Sequence, residues 1–354
     1  MKLYDKNELA AFGAAIFRAA GSQNTEAATI ADHLVDANLV GHDSHGIVRV
    51  SKYVDWAGKG HVVPNRHARI LSDRASALLI DGDFGYGQVI GMEAMGLLID
   101  RVRVGGFAVC ALRNTAHLGR IGAWAEQLAR AGFPSFHFVN TSGFGILVAP
   151  HGGSDRRLSA NPVAAGTPTA EGGMLILDIA TSVIAEGKIQ MMRNKGLPLP
   201  EGSVIDGSGR STTDAAAFYA DPPGAIFPFG GHKGSGLSFF CEVLAGSLTG
   251  GFASNPKTPT AGQLVNNMLS IAFDPAAFGG ADFFQGDIAR LMEWTKASPP
   301  IEPGGTVLLP GEIEARTRAK RLADGIPIDP ETWSQLERTA LRLGIQPADH
   351  FNNQ

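Results

Sequence analysis

Residues 41–50 read GHDSHGIVRV, so two histidines, an aspartate, a serine and an arginine gather ahead of an apolar run. Two readings of this stretch stay open. Asp43 or Ser44 suits the N-cap of a helix starting here, because short oxygen-bearing side chains satisfy the free amides of a first turn. If the helix starts there, His45, Arg49 and Tyr53 follow at four-residue steps and share one face. Such a row suits a small carboxylate. Arg49 holds it bidentately, while His45, titrating near neutrality, exchanges a proton with an adjacent oxygen. Zinc and serine-hydrolase chemistry use the same residue types. However, His42 and His45 are followed by no HExxH helix or Cys/His pairs, and Ser44 lacks the GxSxG strand-turn-helix setting. No metal site is expected.

A second cluster, RNTAHLGRIGAW, follows the apolar run FAVCAL, placing His117 between a strand and a helix with Gly119 and Gly122 leaving room for a ligand. A glycine-rich turn with an exposed histidine explains it equally well. In a third, GGHKGSGLSFFCEVLAG, His232 and Lys233 precede an apolar helix carrying Leu237, Phe240 and Leu244, so free amides, helix dipole and ammonium converge on a phosphate-sized site. This is no Walker loop, and no GxGxxG follows a strand, so a Rossmann dinucleotide site has no support. LDIATS and LLPGE leave apolar strands as polar turns, where ligand-contacting backbone is common.

The elements that must position these residues follow from periodicity. Asp5 and Glu8 form a capping box before Leu9, Phe12 and Ile16; a second helix runs from Thr25 to about Leu39, and a third carries Ile47, Val50, Val54 and Ala57. From about residue 75 the pattern is α/β. Strands are expected at SALLIDGD, FAVCAL, SFHFVN, MLILDIA, LSIAFD and TVLLP, and helices at GQVIGMEAMGLLIDRVRVGG and near 121–131, 182–195 and 235–249. NPVAAGTPTAEGG and YADPPGAIFPFGGHKG read as long site-forming loops. Asp329 and Pro330 open a last helix with Trp333, Leu336, Ala340 and Leu343 inward.

Composition narrows the class. The 354 residues are 44% hydrophobic and 18% charged with 45 glycines, as in an α/β protein with many tight turns. Net charge is -4 without a basic stripe, so nucleic acid is not an expected partner. Cys110 and Cys241 sit apart in apolar runs and read as reduced thiols; no spanning segment or signal h-region is present, so the cytosol is expected and a membrane partner is not.

Taken together, DSHGIxRxxxY at 43–53, HLGRIG at 117–122, ANP at 160–162, LDIAT at 177–181, GHKG at 231–234 and LPGE at 309–312 resemble the malate/L-lactate dehydrogenase family, which lacks a Rossmann fold. ANLVGHDSHGI, RIGAWAEQLARAGF and TKASPP are most similar to its hydroxycarboxylate dehydrogenase B branch, although that branch lacks an arginine at 49. The resemblance implies a homodimeric NAD- or NADP-dependent oxidoreductase, NAD the first choice. It would move a hydride between nicotinamide and C2 of a 2-oxo or 2-hydroxy acid. Cyclic imino acid reduction and ureidoglycolate oxidation are the alternatives within the family, and a non-redox carboxylate-binding or hydrolytic protein is the alternative outside it.

The implied fold is α/β, a mostly antiparallel cofactor-binding sheet with helices plus a helical unit built from both termini. Residues 1–74 would form the helical catalytic unit, joined by helices in 313–354; residues 75–312 would form the α/β region, with the cofactor domain at about 120–290. By resemblance, His45 with Ser44 exchanges the proton, His117 competes for that role, and Arg49, Tyr53 and Asn161 bind substrate. Cofactor contacts are implied for His45, Gly119, Arg120, Ile121, Asp178, Ile179, Ala180, Thr181, His232, Lys233, Pro310, Gly311 and Glu312.

Overall fold

A computed structural model describes residues 1–260 and 262–351. Its first helices are α1 (Lys6–Ala19), α2 (Asn24–Leu39) and α3 (Arg49–Gly58). The Asp5 carboxylate accepts from the Asn7 and Glu8 amides and so caps α1. From the other end of the chain come α9 (Glu312–Asp324) and α10 (Pro330–Arg342), the latter capped by Asp329. Strand β1 (Lys2–Tyr4) pairs antiparallel with β12 (Ile326–Ile328), tying the two termini together. Phe12, Ile16, Ile30, Leu34, Ile47 and Tyr53 from the first segment and Leu336 and Ala340 from the last form one continuous core. Burial of roughly 1.5–3 kcal/mol per large apolar side chain holds this unit together.

The main sheet has seven strands: β2 (Arg69–Arg74), β3 (Ala77–Asp81), β4 (Phe107–Thr115), β11 (Val265–Phe273), β5 (Ser135–Ser142), β6 (Val163–Pro168) and β7 (Met174–Ile179), in that spatial order. Only β3–β4 is parallel; the other pairs are antiparallel. Helix α4 (Gly87–Gly105), which ends on left-handed Gly106, and helix α5 (Gly122–Arg130) pack on the sheet through Met95, Leu98, Trp124 and Leu128. Strand β2 joins this sheet although it lies within the segment read as helical.

A smaller unit carries α6 (Glu186–Asn194) and the short strands β8 (Val204–Ile205), β9 (Ser211–Thr212) and β10 (Ala225–Ile226) around Val148, Ile189 and Phe218. Helix α7 (His232–Cys241) continues as a π-helix over Glu242–Ser247 and packs on β5. Helix α8 (Ala281–Lys296) contributes no buried side chain and leaves Trp294 78% exposed.

Several expectations need correction. NPVAAGTPTAEGG is not wholly loop, because β6 runs through it and pairs with both β5 and β7. TVLLP forms no strand; it touches the sheet through the bond from the Ile176 amide to the Pro310 carbonyl. Phe240, on the apolar helix after His232 and Lys233, is 59% exposed. Cys110 and Cys241 are free and buried, and burial pushes both thiols up to about 12.

Candidate active site

Asn38, buried in α2, shapes the GHDSHG turn. Its Oδ1 accepts from the Ile47 amide at 2.7 Å and its Nδ2 donates to Asp43 Oδ1 at 2.7 Å. A Cβ on residue 46 would sit 2.2 Å from Asn38 Oδ1, which is why glycine stands there. Gly46 is extended (φ -88, ψ -152), so Asp43–His45 form a separate 3-10 turn and α3 begins only at Arg49. The expected cap at Asp43 or Ser44 is therefore corrected: α3 has no side-chain cap. Asp43 instead accepts a two-pronged bond from Arg321 of α9 at 2.5 and 3.0 Å.

His45, Arg49 and Tyr53 do not share one helix face, yet they still meet. The rings of His45 and His117 stack at 5.5 Å with 16° between planes. Tyr53 Oη lies 2.6 Å from His117 Nδ1, and Ser44 Oγ lies 3.1 Å from His45 Nδ1. Arg49 Nε donates to the Ser44 carbonyl at 2.6 Å, and its two terminal nitrogens make no hydrogen bond among the described residues. Lys52, one turn on, stands over the Trp56 and Phe144 rings at 5.7 and 6.0 Å. Both histidines keep part of their surface open. Desolvation, then the Arg49 charge, brings His45 down to about 3 and holds His117 well below the usual histidine range. Burial raises the Tyr53 phenol to about 12, so it stays a neutral donor. A carboxylate reaching Arg49 would cancel much of the repulsion that keeps these imidazoles neutral.

The remaining motifs are drawn together by the backbone. Asp178 Oδ2, at the end of β7, accepts from the Gly122 amide at 2.8 Å and lies 4.0 Å from His42 Nδ1. His42 Nε2 also faces Glu314 Oε1 at 3.4 Å. Burial raises the Asp178 carboxyl above the usual carboxylate range. Gly311 packs on Ile176 with φ +90, and Glu312 accepts from the Leu309 amide at 3.1 Å and pairs with Lys296. Ile179 and Ala180 continue from Asp178 to Thr181, whose carbonyl receives the Phe229 amide at 3.0 Å just before α7. Thr181 Oγ1 is buried without a bond partner among the described residues. Gly230 and Gly231 adopt φ of +56 and +63, leaving the start of α7 without a side-chain cap and His232 and Lys233 exposed. Among the described residues no cluster of three metal-ligating side chains exists.

Two expected contacts are occupied elsewhere. Arg120 is 2% exposed, and its guanidinium donates to Asp36 at 3.0 Å and Glu126 at 2.7 Å, so it serves the junction of α2 and α5. Asn161 is fully buried; its amide donates to Ser238 and Glu242 and accepts from the Thr141 backbone. Gly119 has φ +73 and a Cβ there would meet His33 Nε2 at 2.3 Å, while Ile121 is buried in the sheet core. Gln88, Lys52 and Asn38 were missed by sequence reasoning. Only Lys52, three residues past Arg49, left a readable signal.

A family model described as malate/L-lactate dehydrogenase matches residues 4–337. Hydroxycarboxylate dehydrogenase B of Escherichia coli (strain K12) is 41% identical over 344 residues, 97% of this chain and 94% of that protein. L-lactate dehydrogenase of Cupriavidus necator is 38% identical, covering 89% of this chain and 90% of its own length. The structure of sulfolactate dehydrogenase from Methanocaldococcus jannaschii superposes with a TM-score of 0.88 at 32% identity, covering 98% of this chain and 99% of that one. With the motifs in order along one mostly antiparallel fold, the chain belongs to the malate/L-lactate dehydrogenase family.

Proposed function

We propose that the protein is a nicotinamide-dependent dehydrogenase interconverting 2-hydroxy acids and 2-oxo acids. The observation that carries this reading is the stacked His45–His117 pair beside an arginine whose terminal nitrogens make no hydrogen bond among the described residues. Arg49 would hold the substrate carboxylate and so fix the orientation of C2. His45, steadied by Ser44, exchanges the proton at the substrate oxygen, and His117 hydrogen-bonds the same oxygen. When bound, the nicotinamide supplies or accepts the hydride at C2.

The residues present fit such a cofactor. The uncapped start of α7 with exposed Lys233 suits a phosphate, and the unpartnered Thr181 hydroxyl lies in the adjoining turn. Asp178, His232, Pro310, Gly311 and Glu312 would complete the contacts. NAD is favoured over NADP because Arg120, the arginine in HLGRIG, is already neutralised by Asp36 and Glu126. A homodimer is supported by exposed Phe239, Phe240, Val243 and Leu248 along α7 and its continuation. No helix among the described residues is long and apolar enough to cross a membrane; the two free thiols favour the cytosol.

The test is turnover of purified protein with NADH and NADPH against a panel of 2-oxo acids and cyclic imino acids. The expected result is oxidation of NADH by at least one 2-oxo acid. Turnover confined to cyclic imino acids would move the assignment to reductase, and inactivity across the panel would refute the reading.

A further inference from the structure

Three contacts around His117 determine where its proton sits. Gln88 Nε2 lies 3.1 Å from the His117 carbonyl oxygen and 3.1 Å from Tyr53 Oη, which in turn lies 2.6 Å from His117 Nδ1. A carbonyl oxygen only accepts, so the Gln88 atom facing it is the amide nitrogen; turning the amide over would set two oxygens against each other. The same NH2 group has a second hydrogen, which it donates to the Tyr53 oxygen. The Tyr53 hydrogen is thereby directed at His117 Nδ1, which accepts it. A neutral imidazole that accepts at Nδ1 carries its proton on Nε2.

We infer that Gln88 is a positioning residue: acting through Tyr53, it holds His117 as the Nε2–H tautomer, a neutral hydrogen-bond donor toward the reacting oxygen. The identity of that oxygen rests on the proposed function; the tautomer does not. Protonating Nδ1 would aim a second donor at an oxygen already receiving Gln88. The Tyr53 hydrogen would then have no other acceptor among the described residues. Gln88 and Tyr53 are 1% and 2% exposed, so solvent does not relieve this. Burial and the Arg49 charge keep His117 neutral, its partners choose the tautomer, and proton exchange falls to His45. The neutral ring polarises the substrate oxygen and returns unchanged after each turnover.

The tautomer is read from 15N spectra of histidine-labelled protein, free of cofactor and substrate, across pH 6–9. The expected result for the unaltered chain is a His117 ring protonated at Nε2 only and not titrating over that range. In Gln88→Met and Tyr53→Phe the ring becomes a mixture of the two neutral tautomers. In the same variants kcat falls about 10- to 100-fold with a smaller change in KM. An Nδ1–H ring or a doubly protonated one in the unaltered protein overturns the inference, as does a Gln88→Met ring identical to the parent's. If a variant does not fold, the parent spectrum decides alone. Because the sample contains no substrate, failure of the parent to turn over 2-oxo acids would refute the proposed function and leave this result standing.

Discussion

Replacing Arg49 by methionine separates the two roles assigned to its guanidinium. Its Nε is already engaged by the Ser44 carbonyl, so a carboxylate meets the two terminal nitrogens. Each charge-assisted bond is worth about 1.5–3 kcal/mol, so losing both costs about 3–6 kcal/mol, roughly a 10²- to 10⁴-fold loss in kcat/KM. The second role is electrostatic. Two unit charges about 6 Å apart repel by about 2–3 kcal/mol at an effective dielectric of about 20. Screening at the open edge of His45 reduces this to about 1.4 kcal/mol, or one pH unit. Arg49 lies among the causes that bring His45 down to about 3, so removing it raises that ionisation. In 2-hydroxy acid oxidation the neutral imidazole is the base, so the acid limb of kcat/KM moves up by about one pH unit in Arg49→Met. Arg49→Lys keeps the charge and loses the fork, so its kcat/KM falls while the limb stays in place. The assay is initial-rate kinetics of the parent and both variants from about pH 2.5 to 9. An Arg49→Met enzyme within about threefold of the parent in kcat/KM would refute the carboxylate assignment.

Arg120→Ala removes the buried partner of Glu126 and Asp36, which keep Arg130 and Arg318, so thermal unfolding should show a loss of about 1–3 kcal/mol while the NADH-to-NADPH preference holds. A changed cofactor preference with normal stability would return Arg120 to the cofactor site. Gly46→Ala drives a methyl group onto the Asn38 amide, and calorimetry should record a loss of about 1–3 kcal/mol with kcat/KM down by about 100-fold as the Asp43–His45 turn shifts. A fully active, stable variant would show that the turn is not set by Asn38. His137 is wholly buried between Ser135 and Ser270, and burial brings it down to about 3. Its unfolded form takes up a proton below about 6.5, so its contribution is complete above that pH and is lost as pH falls toward 3, at up to about 1.4 kcal/mol per pH unit. Denaturant titrations of the parent and His137→Asn should differ in slope by one proton across pH 6 to 4, and parallel curves would contradict this.

Local chemistry made much of this molecule legible in its sequence. The apolar spacing of α1, α4 and α10, and the oxygen caps at Asp5 and Asp329, act within a turn or two and are visible without the fold. The same holds for strands such as β4 and β5, whose apolar runs are long and bounded by turns. Strand β6 was hidden because the proline and glycine of VAAGTP mark a loop locally, whereas pairing on both sides holds them extended. TVLLP misled in the opposite sense, having strand-like residues beside an edge it touches through Pro310. The GHDSHG turn was legible as chemistry but not as geometry, since its shape comes from Asn38, eight residues before Gly46 along the chain, and from Arg321. Arg120 and Asn161 show the limit of motif reading, because their partners arrive from distant segments and use up the groups the motif offered.

Hydride transfer itself gives the most direct test. Purified protein is given a 2-oxo acid with NADH, and separately NADPH, carrying deuterium at both C4 positions, and the 2-hydroxy acid is analysed by mass spectrometry and proton NMR. The account predicts one deuterium at C2 of the product, with more product from NADH than from NADPH. Product bearing only solvent hydrogen at C2, or no 2-hydroxy acid from any substrate in the panel, would contradict it.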